Sequence, residues 1–157
     1  MNAVPAVFIV DDDPAVLKGL SRLLRLVQFT VVTFGSAQEF LEQHDPSAPG
    51  CLVLDMTMPG LSGLELQEAL TTKDSSIPII FLTGNGDVRK KVQAMKHGAF
   101  DFLTKPVNDD DLIRAVHGAL EKDRIARQAR TNSNIHAGLT TLTPREREVL
   151  PTLSPKS

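Results

Sequence analysis

Cys51-Leu52-Val53-Leu54-Asp55-Met56-Thr57-Met58-Pro59-Gly60 decides the reading of this chain. Its first four residues are apolar without alternation and too few for an amphipathic helix. Such a run reads as a strand buried on both faces of a parallel sheet, here ending on a carboxylate. Four similar runs lie outward of it: Ala6–Val10 and Phe29–Phe34 before, Ile77–Leu82 and Ala99–Leu103 after.

The segments between these runs have helical period. Val16, Leu20, Leu23, Leu24 and Val27 fall on one helix face, with Asp13 as cap and Pro14 in the first turn. Ser36 and Glu39 have the spacing of a capping box for a second helix. Gly60–Gly63 reads as a turn before a third, which carries Leu64, Leu66 and Leu70. Val88, Val92 and Met95 mark a fourth and read most simply as core, with His97-Gly98 as its stop. Leu112, Ile113, Val116 and Leu120 mark a fifth, beginning in the acidic Asn108–Asp111. Five β/α units in succession predict a doubly wound α/β sandwich with helices on both faces. Ligands of such sheets bind beyond the C-terminal strand ends.

Bulk composition narrows the alternatives. The chain has 157 residues, room for one domain and a short extension, and its net charge of -2 gives no general pull toward nucleic acid. With 41% hydrophobic and 23% charged residues the composition is globular. No Trp or Tyr is present to stack on bases. The lone Cys51 cannot form an internal disulfide and reads as a buried small hydrophobe, which favours a reducing compartment. No stretch approaches the roughly 20 apolar residues of a membrane span, and the N-terminus lacks the basic region of a signal peptide. A soluble, cytoplasmic protein is the expectation. His44, His97, His117 and His136 show no ligand spacing and read as structural or exposed.

The residues just after each run carry the chemistry. Asp11-Asp12-Asp13 stands after the first, Asp55 after the third, Thr83-Gly84 after the fourth and Thr104-Lys105-Pro106 after the fifth. Taken singly these are a solvated cap, a strand end, a turn and a helix start. At successive strand ends of one sheet they converge on a pocket of carboxylates, a hydroxyl and an ammonium. Crowded carboxylates disfavour one another's ionisation, and a hard divalent cation such as Mg²⁺ removes that penalty. A carboxylate can also act as nucleophile and form an aspartyl phosphate. Mg²⁺, a Lys and a hydroxyl are the donors that suit phosphoryl oxygens.

With these pieces in order, the sequence resembles the CheY-like receiver domains of two-component response regulators. The resemblance rests on Val7–Asp13, Leu52–Gly60, Phe81–Gly84 and Phe102–Pro106, and holds across roughly residues 5–121. It implies a five-stranded parallel sheet of order 2-1-3-4-5 in a three-layer sandwich. It implies Asp55 as phospho-acceptor, and Asp11, Asp12, Asp55 and the main-chain carbonyl of Thr57 as the Mg²⁺ site, with Mn²⁺ as a substitute. It further implies Thr83 as the switch hydroxyl, Lys105 as the ammonium that pairs with the phosphoryl group, Phe102 as the switch aromatic and a cis Lys105-Pro106 peptide. A sensor histidine kinase is the implied donor. The implied response is a homodimer through the fourth helix and fifth strand, including Lys91, Val92 and Met95. On this reading the chain is a phospho-acceptor and not an enzyme.

The layout expected is a receiver over 1–121, a linker over 122–141 that partly extends the fifth helix, and a tail over 142–157. Within the tail, Leu142–Leu150 resembles the opening of a LuxR/FixJ-type helix-turn-helix domain, whose remaining helices are missing. DNA binding is therefore expected of a full-length form and not of these residues. A chain cut short, a stand-alone receiver with a vestigial tail and a frayed basic tail all remain compatible with it. Two other readings compete for the whole protein. A haloacid-dehalogenase-like phosphatase would use Asp11 and Asp13 as D-x-D, with Thr83 and Asp109-Asp110 as later motifs, but leaves Asp55 without a task. An interaction module that is never phosphorylated would not need the complete acidic, Thr and Lys set.

Overall fold

A computed structural model describes residues 4–84 and 88–142, with 131–142 as backbone alone. The elements run β1 (Ala6–Val10), α1 (Pro14–Leu26), β2 (Thr30–Phe34), α2 (Ala37–Gln43), β3 (Gly50–Asp55), α3 (Gly63–Thr72), β4 (Ile79–Thr83), α4 (Val88–Lys96), β5 (Asp101–Thr104) and α5 (Asp109–Leu142). All strands pair in parallel in the order β2-β1-β3-β4-β5. The chain divides into two units, Met1–Arg124 and Ile125–Ser157. The first holds the sheet, α1–α4 and the start of α5. The second contains, among the described residues, the rest of that helix.

The apolar runs become two cores because strand side chains alternate. Leu52 and Leu54 of β3 face Phe34, Phe40, Leu66, Leu70 and Phe81, on the side covered by α2, α3 and α4. Cys51 and Val53 face Val7, Ile9, Leu24, Ile80, Leu112 and Val116, on the side covered by α1 and α5. Each such side chain taken from water contributes about 1.5–3 kcal/mol. Double-sided burial holds fully for the central β3 and β4, whereas the edges differ: β2 is exposed at Thr30, Val32 and Thr33 and β5 is half-buried along its length. At the start of β3, Gly50 sits at φ 148°, where a Cβ would lie 2.1 Å from the Ala6 carbonyl oxygen. Its N–H donates to the buried Asp123 carboxylate at 2.9 Å, which fastens α5 to β3.

Local signals behave largely as their chemistry dictates. Asp13 caps α1 by accepting from Ala15 N, with Pro14 beside it. Ser36 caps α2, but the box is only half made, because the Glu39 carboxylate accepts from Gly35 N instead. A complete box lies at Ser62 and Glu65 of α3, where the sequence reading saw a turn. The α1 face is rotated from the expected one: Leu17, Leu20, Leu23 and Leu24 pack inward with Ser21 buried, while Val27 is exposed. Gly98, at φ 96°, closes α4. The helix continues through the Asn/Ser/Thr-rich residues 131–142, since extending an existing helix is cheap compared with starting one.

One expectation is overturned. Val88, Val92 and Met95 of α4 are not core: they are 64%, 50% and 42% exposed, and only Ala94 of that helix is buried. They form a real apolar stripe that faces outward. No described helix is long and apolar enough to cross a membrane. The tail over 143–157 lies outside the described residues.

Candidate functional site

Parallel pairing brings the C-terminal ends of β1, β3, β4 and β5 to one edge. Asp55 is the last residue of β3 and sits opposite Leu82, while Thr83 ends β4 opposite Thr104 of β5. Asp11 follows β1 directly, and Lys105 follows β5 with its N–H donating to the Thr83 carbonyl. Side chains from three of these strand ends meet, although Asp11 and Lys105 stand 94 positions apart, while Thr83 ends the neighbouring strand on the same edge.

Asp11 is fully buried. Its Oδ1 accepts from Asp13 N at 2.9 Å and its Oδ2 from Lys105 Nζ at 3.1 Å. Asp55 is 6% exposed, and its Oδ1 accepts from Thr57 N at 3.3 Å and lies 3.5 Å from the same ammonium. Asp12 is exposed. Carboxylate oxygens of Asp11, Asp12 and Asp55 lie within 4.8 Å of one another. Hard oxygen donors at this spacing suit a hard divalent cation, which would neutralise charge that Lys105 offsets only in part.

The electrostatics follow from this crowding. Burial pushes the Asp55 carboxyl above the usual carboxylate range, the Asp11 charge adds to it, and Lys105 pulls the other way without prevailing. For Lys105, burial acts against the ammonium, yet its hydrogen bond to Asp11 and the charges of Asp55 and Asp11 raise its pKa. The pocket therefore holds its cation firmly and one of its carboxylates reluctantly.

The loop after β3 is built for close approach. Gly63 N donates to the Met56 carbonyl at 3.1 Å, and a Cβ at Gly63 would meet Asp55 O at 2.6 Å and the Met56 Cα at 2.9 Å. Met56 and Met58 are buried beneath it, which leaves Thr57 exposed at the mouth. Thr83 is 1% exposed and its hydroxyl donates weakly, at 3.5 Å, to the Leu103 carbonyl. Phe102 is half-buried, with Lys91 Nζ 5.1 Å from its ring centroid. The Lys105-Pro106 peptide is cis.

The model of the response regulator receiver domain matches residues 7–117. The chain belongs to this family. The chain is 48% identical over 145 residues to nodulation protein W of Bradyrhizobium diazoefficiens, covering 92% of this chain and 64% of that protein. It is 43% identical over 148 residues to response regulator protein TodT of Pseudomonas putida, again over 92% and 64%. The chain thus spans 64% of the length of these curated relatives. Among solved structures, the response regulator StyR matches with a TM-score of 0.84 at 47% identity, covering 88% of this chain and 70% of that one. FixJ-N matches with a TM-score of 0.70 at 42% identity, covering 77% and 96%. The expected fold and family stand, and the receiver is a two-component signalling module.

The phosphatase-like alternative is not favoured. Asp13 is occupied as the α1 cap, and Asp109 and Asp110 lie exposed in the first turn of α5. Asp55, idle in that scheme, is a carboxylate whose charge burial and Asp11 disfavour. Of the histidines, His44 is half-buried, stacked on Phe40 and 3.0 Å from Ser75 Oγ, whereas His97 and His117 are exposed. Cys51 is buried, and burial followed by the nearby Asp123 charge pushes its thiol up to about 12. Sequence reading missed the tie from Lys90 to Thr57 and the buried Gln67, because neither has a motif of its own.

Proposed function

We propose that Asp55 accepts a phosphoryl group from the phosphohistidine of a sensor histidine kinase. One observation carries this reading: a buried aspartate at a strand end shares one ammonium with a second buried aspartate, with a third carboxylate alongside. An Asp55 carboxylate oxygen attacks phosphorus, the P–N bond of the phosphoimidazole breaks, and the imidazole leaves. Asp11, Asp12, Asp55 and the main-chain carbonyl of Thr57 would hold Mg²⁺, or Mn²⁺ in its place. The bound cation would offset negative charge on the carboxylates and on the phosphoryl oxygens. Lys105 supplies the fixed positive charge of the protein itself. The phosphoryl group ends on the protein and leaves by hydrolysis, so the receiver is a phospho-acceptor and no turnover enzyme.

Thr83 then moves toward the new phosphoryl oxygens and Phe102 turns inward. That motion biases a two-state equilibrium of the α4 and β5 surface through new charge-assisted contacts. Lys91, Val92 and Met95 belong to this surface, and phosphorylation favours a homodimer across it. The outward apolar stripe of α4 supports this part. The proposed layout is a receiver over 1–121, a connecting segment over 122–141 and the start of an effector over 142–157. DNA binding and control of transcription, in the cytoplasm, are the proposed output of an effector joined to such a receiver.

The test is an intact-mass spectrum after incubation with acetyl phosphate and Mg²⁺. Wild type gains one phosphoryl group, and the gain is lost with EDTA and in Asp55→Asn. A gain that survives Asp55→Asn but disappears in Asp11→Asn refutes the assignment. Gel filtration of the phosphorylated receiver tests the dimer, and an unchanged monomer after confirmed phosphorylation ends that part.

A further inference from the structure

Among the described residues, the β3–α3 loop that orients Asp55 is tied to α4 by a polar contact from Lys90 to Thr57. Two of the polar groups of Thr57 join different elements. Its N–H donates to Asp55 Oδ1 at 3.3 Å, and its hydroxyl accepts from Lys90 Nζ at 3.4 Å. Lys90 sits in the first turn of α4, and that helix is lightly held. Its one buried side chain is Ala94, and the Gln67 side-chain amide of α3 donates to the Ala94 carbonyl at 3.1 Å near its far end. Its N-terminal half buries no side chain, with Lys91 lying over the Phe102 ring of β5, and the Lys90–Thr57 bond joins that half to the peptide touching the acceptor carboxylate.

From this chain of contacts we infer that Lys90 is a positioning residue for phosphoryl transfer at Asp55, acting through Thr57. The inference rests on Asp55 being the acceptor. An attacking oxygen must be held in line with the donor, and a small loss of orientation slows the step. Thr57 N–H holds the Asp55 carboxylate, the backbone of Thr57 is held by its hydroxyl, and the hydroxyl is held by an ammonium on α4. The coupling runs both ways. A partner that displaces the start of α4 also loosens the acceptor, and a phosphoryl group on Asp55 is felt at α4 through the same bond.

The test is a double-mutant cycle on phosphorylation by acetyl phosphate with Mg²⁺, read as a rate constant by intact mass. Lys90→Met and Thr57→Val each slow the reaction by about three- to tenfold, the scale of one exposed hydrogen bond to a charged donor. The double variant is no slower than the slower single, because the two side chains act as one unit. Lys90→Arg, which keeps a charged donor, recovers most of the lost rate. Lys96→Met, with the same charge change at the far end of α4, leaves it unaltered. In unphosphorylated protein, Lys90→Met also speeds exchange of the Thr57 amide proton, as read by NMR. Single variants at the wild-type rate with an unchanged Thr57 amide, or losses that multiply in the double variant, overturn the inference while Asp55 stands. A wild type that takes up no phosphoryl group removes both.

Discussion

Replacing Lys105 with Met tests the electrostatics of the pocket directly. The ammonium lies 3.1 Å from Asp11 Oδ2 and 3.5 Å from Asp55 Oδ1. At an effective dielectric of about 20, unit charges at such distances attract by about 5 kcal/mol each. That sum is not the net effect, because the Lys105 side chain is 32% exposed and water screens it. Removing one partner of a buried ion pair costs about 3–5 kcal/mol. For a cation one-third in solvent, about 2–3 kcal/mol is the reasoned loss. For a domain of this size, each kcal/mol shifts the melting temperature by about 4 °C. Thermal unfolding recorded by circular dichroism in EDTA should therefore fall by about 8–12 °C. Mg²⁺ should narrow the gap, since a divalent cation replaces the missing positive charge and binds more tightly where no ammonium competes. A difference below about 2 °C in EDTA, or a gap that widens with Mg²⁺, would refute the account of the pocket as two buried carboxylates held by one cation.

The same contacts have other consequences. Asp55→Asn should melt higher than wild type in EDTA at neutral pH, because burial and Asp11 outweigh Lys105 in disfavouring the Asp55 charge. The raised pKa sets both sign and window: the gain is absent where the carboxyl is protonated in both states, appears as pH rises through 3.8, and is complete above the folded value. Equal melting across that window argues against a strained carboxylate. Gly63→Ala should cost about 1–3 kcal/mol and slow phosphorylation, since the new Cβ meets main chain at Asp55 and Met56, which cannot swing aside. Calorimetry within about 2 °C of wild type contradicts it. Cys51, with its thiol pushed up to about 12, should resist iodoacetamide at pH 8 when folded and react once unfolded. Its raised pKa also means stability intact below pH 9.0 and lost toward pH 12. Rapid alkylation of native protein would show that the site is open.

Legibility in the sequence varied by kind of interaction. Asp55 could be found because it is one of four motifs at successive strand ends: an ordinary strand end when taken singly, it stands out only in that set. Asp13 and Gly98 were readable since caps and stops are settled within a few residues. Ser62 was passed over beside two glycines that looked like a turn, although its box with Glu65 is complete. The α4 stripe was misassigned for a different reason. Val88, Val92 and Met95 have the period of a buried face, but period states only that a face is apolar, not that anything covers it.

By itself the sequence determined the succession of strands and helices, the double-sided burial of β3 and β4, and the four motifs at the strand ends. These are local properties, set by alternation, helical period and caps. Tertiary structure alone decided which apolar stripe is packed and which faces water, and that Asp123 closes on Gly50 and Gln67 on α4. It also set the 3.1 Å and 3.5 Å contacts that make two aspartates and one lysine a single charged unit. Such contacts depend on the summed path of the backbone between residues as far apart as Asp11 and Lys105, and no local pattern contains that path.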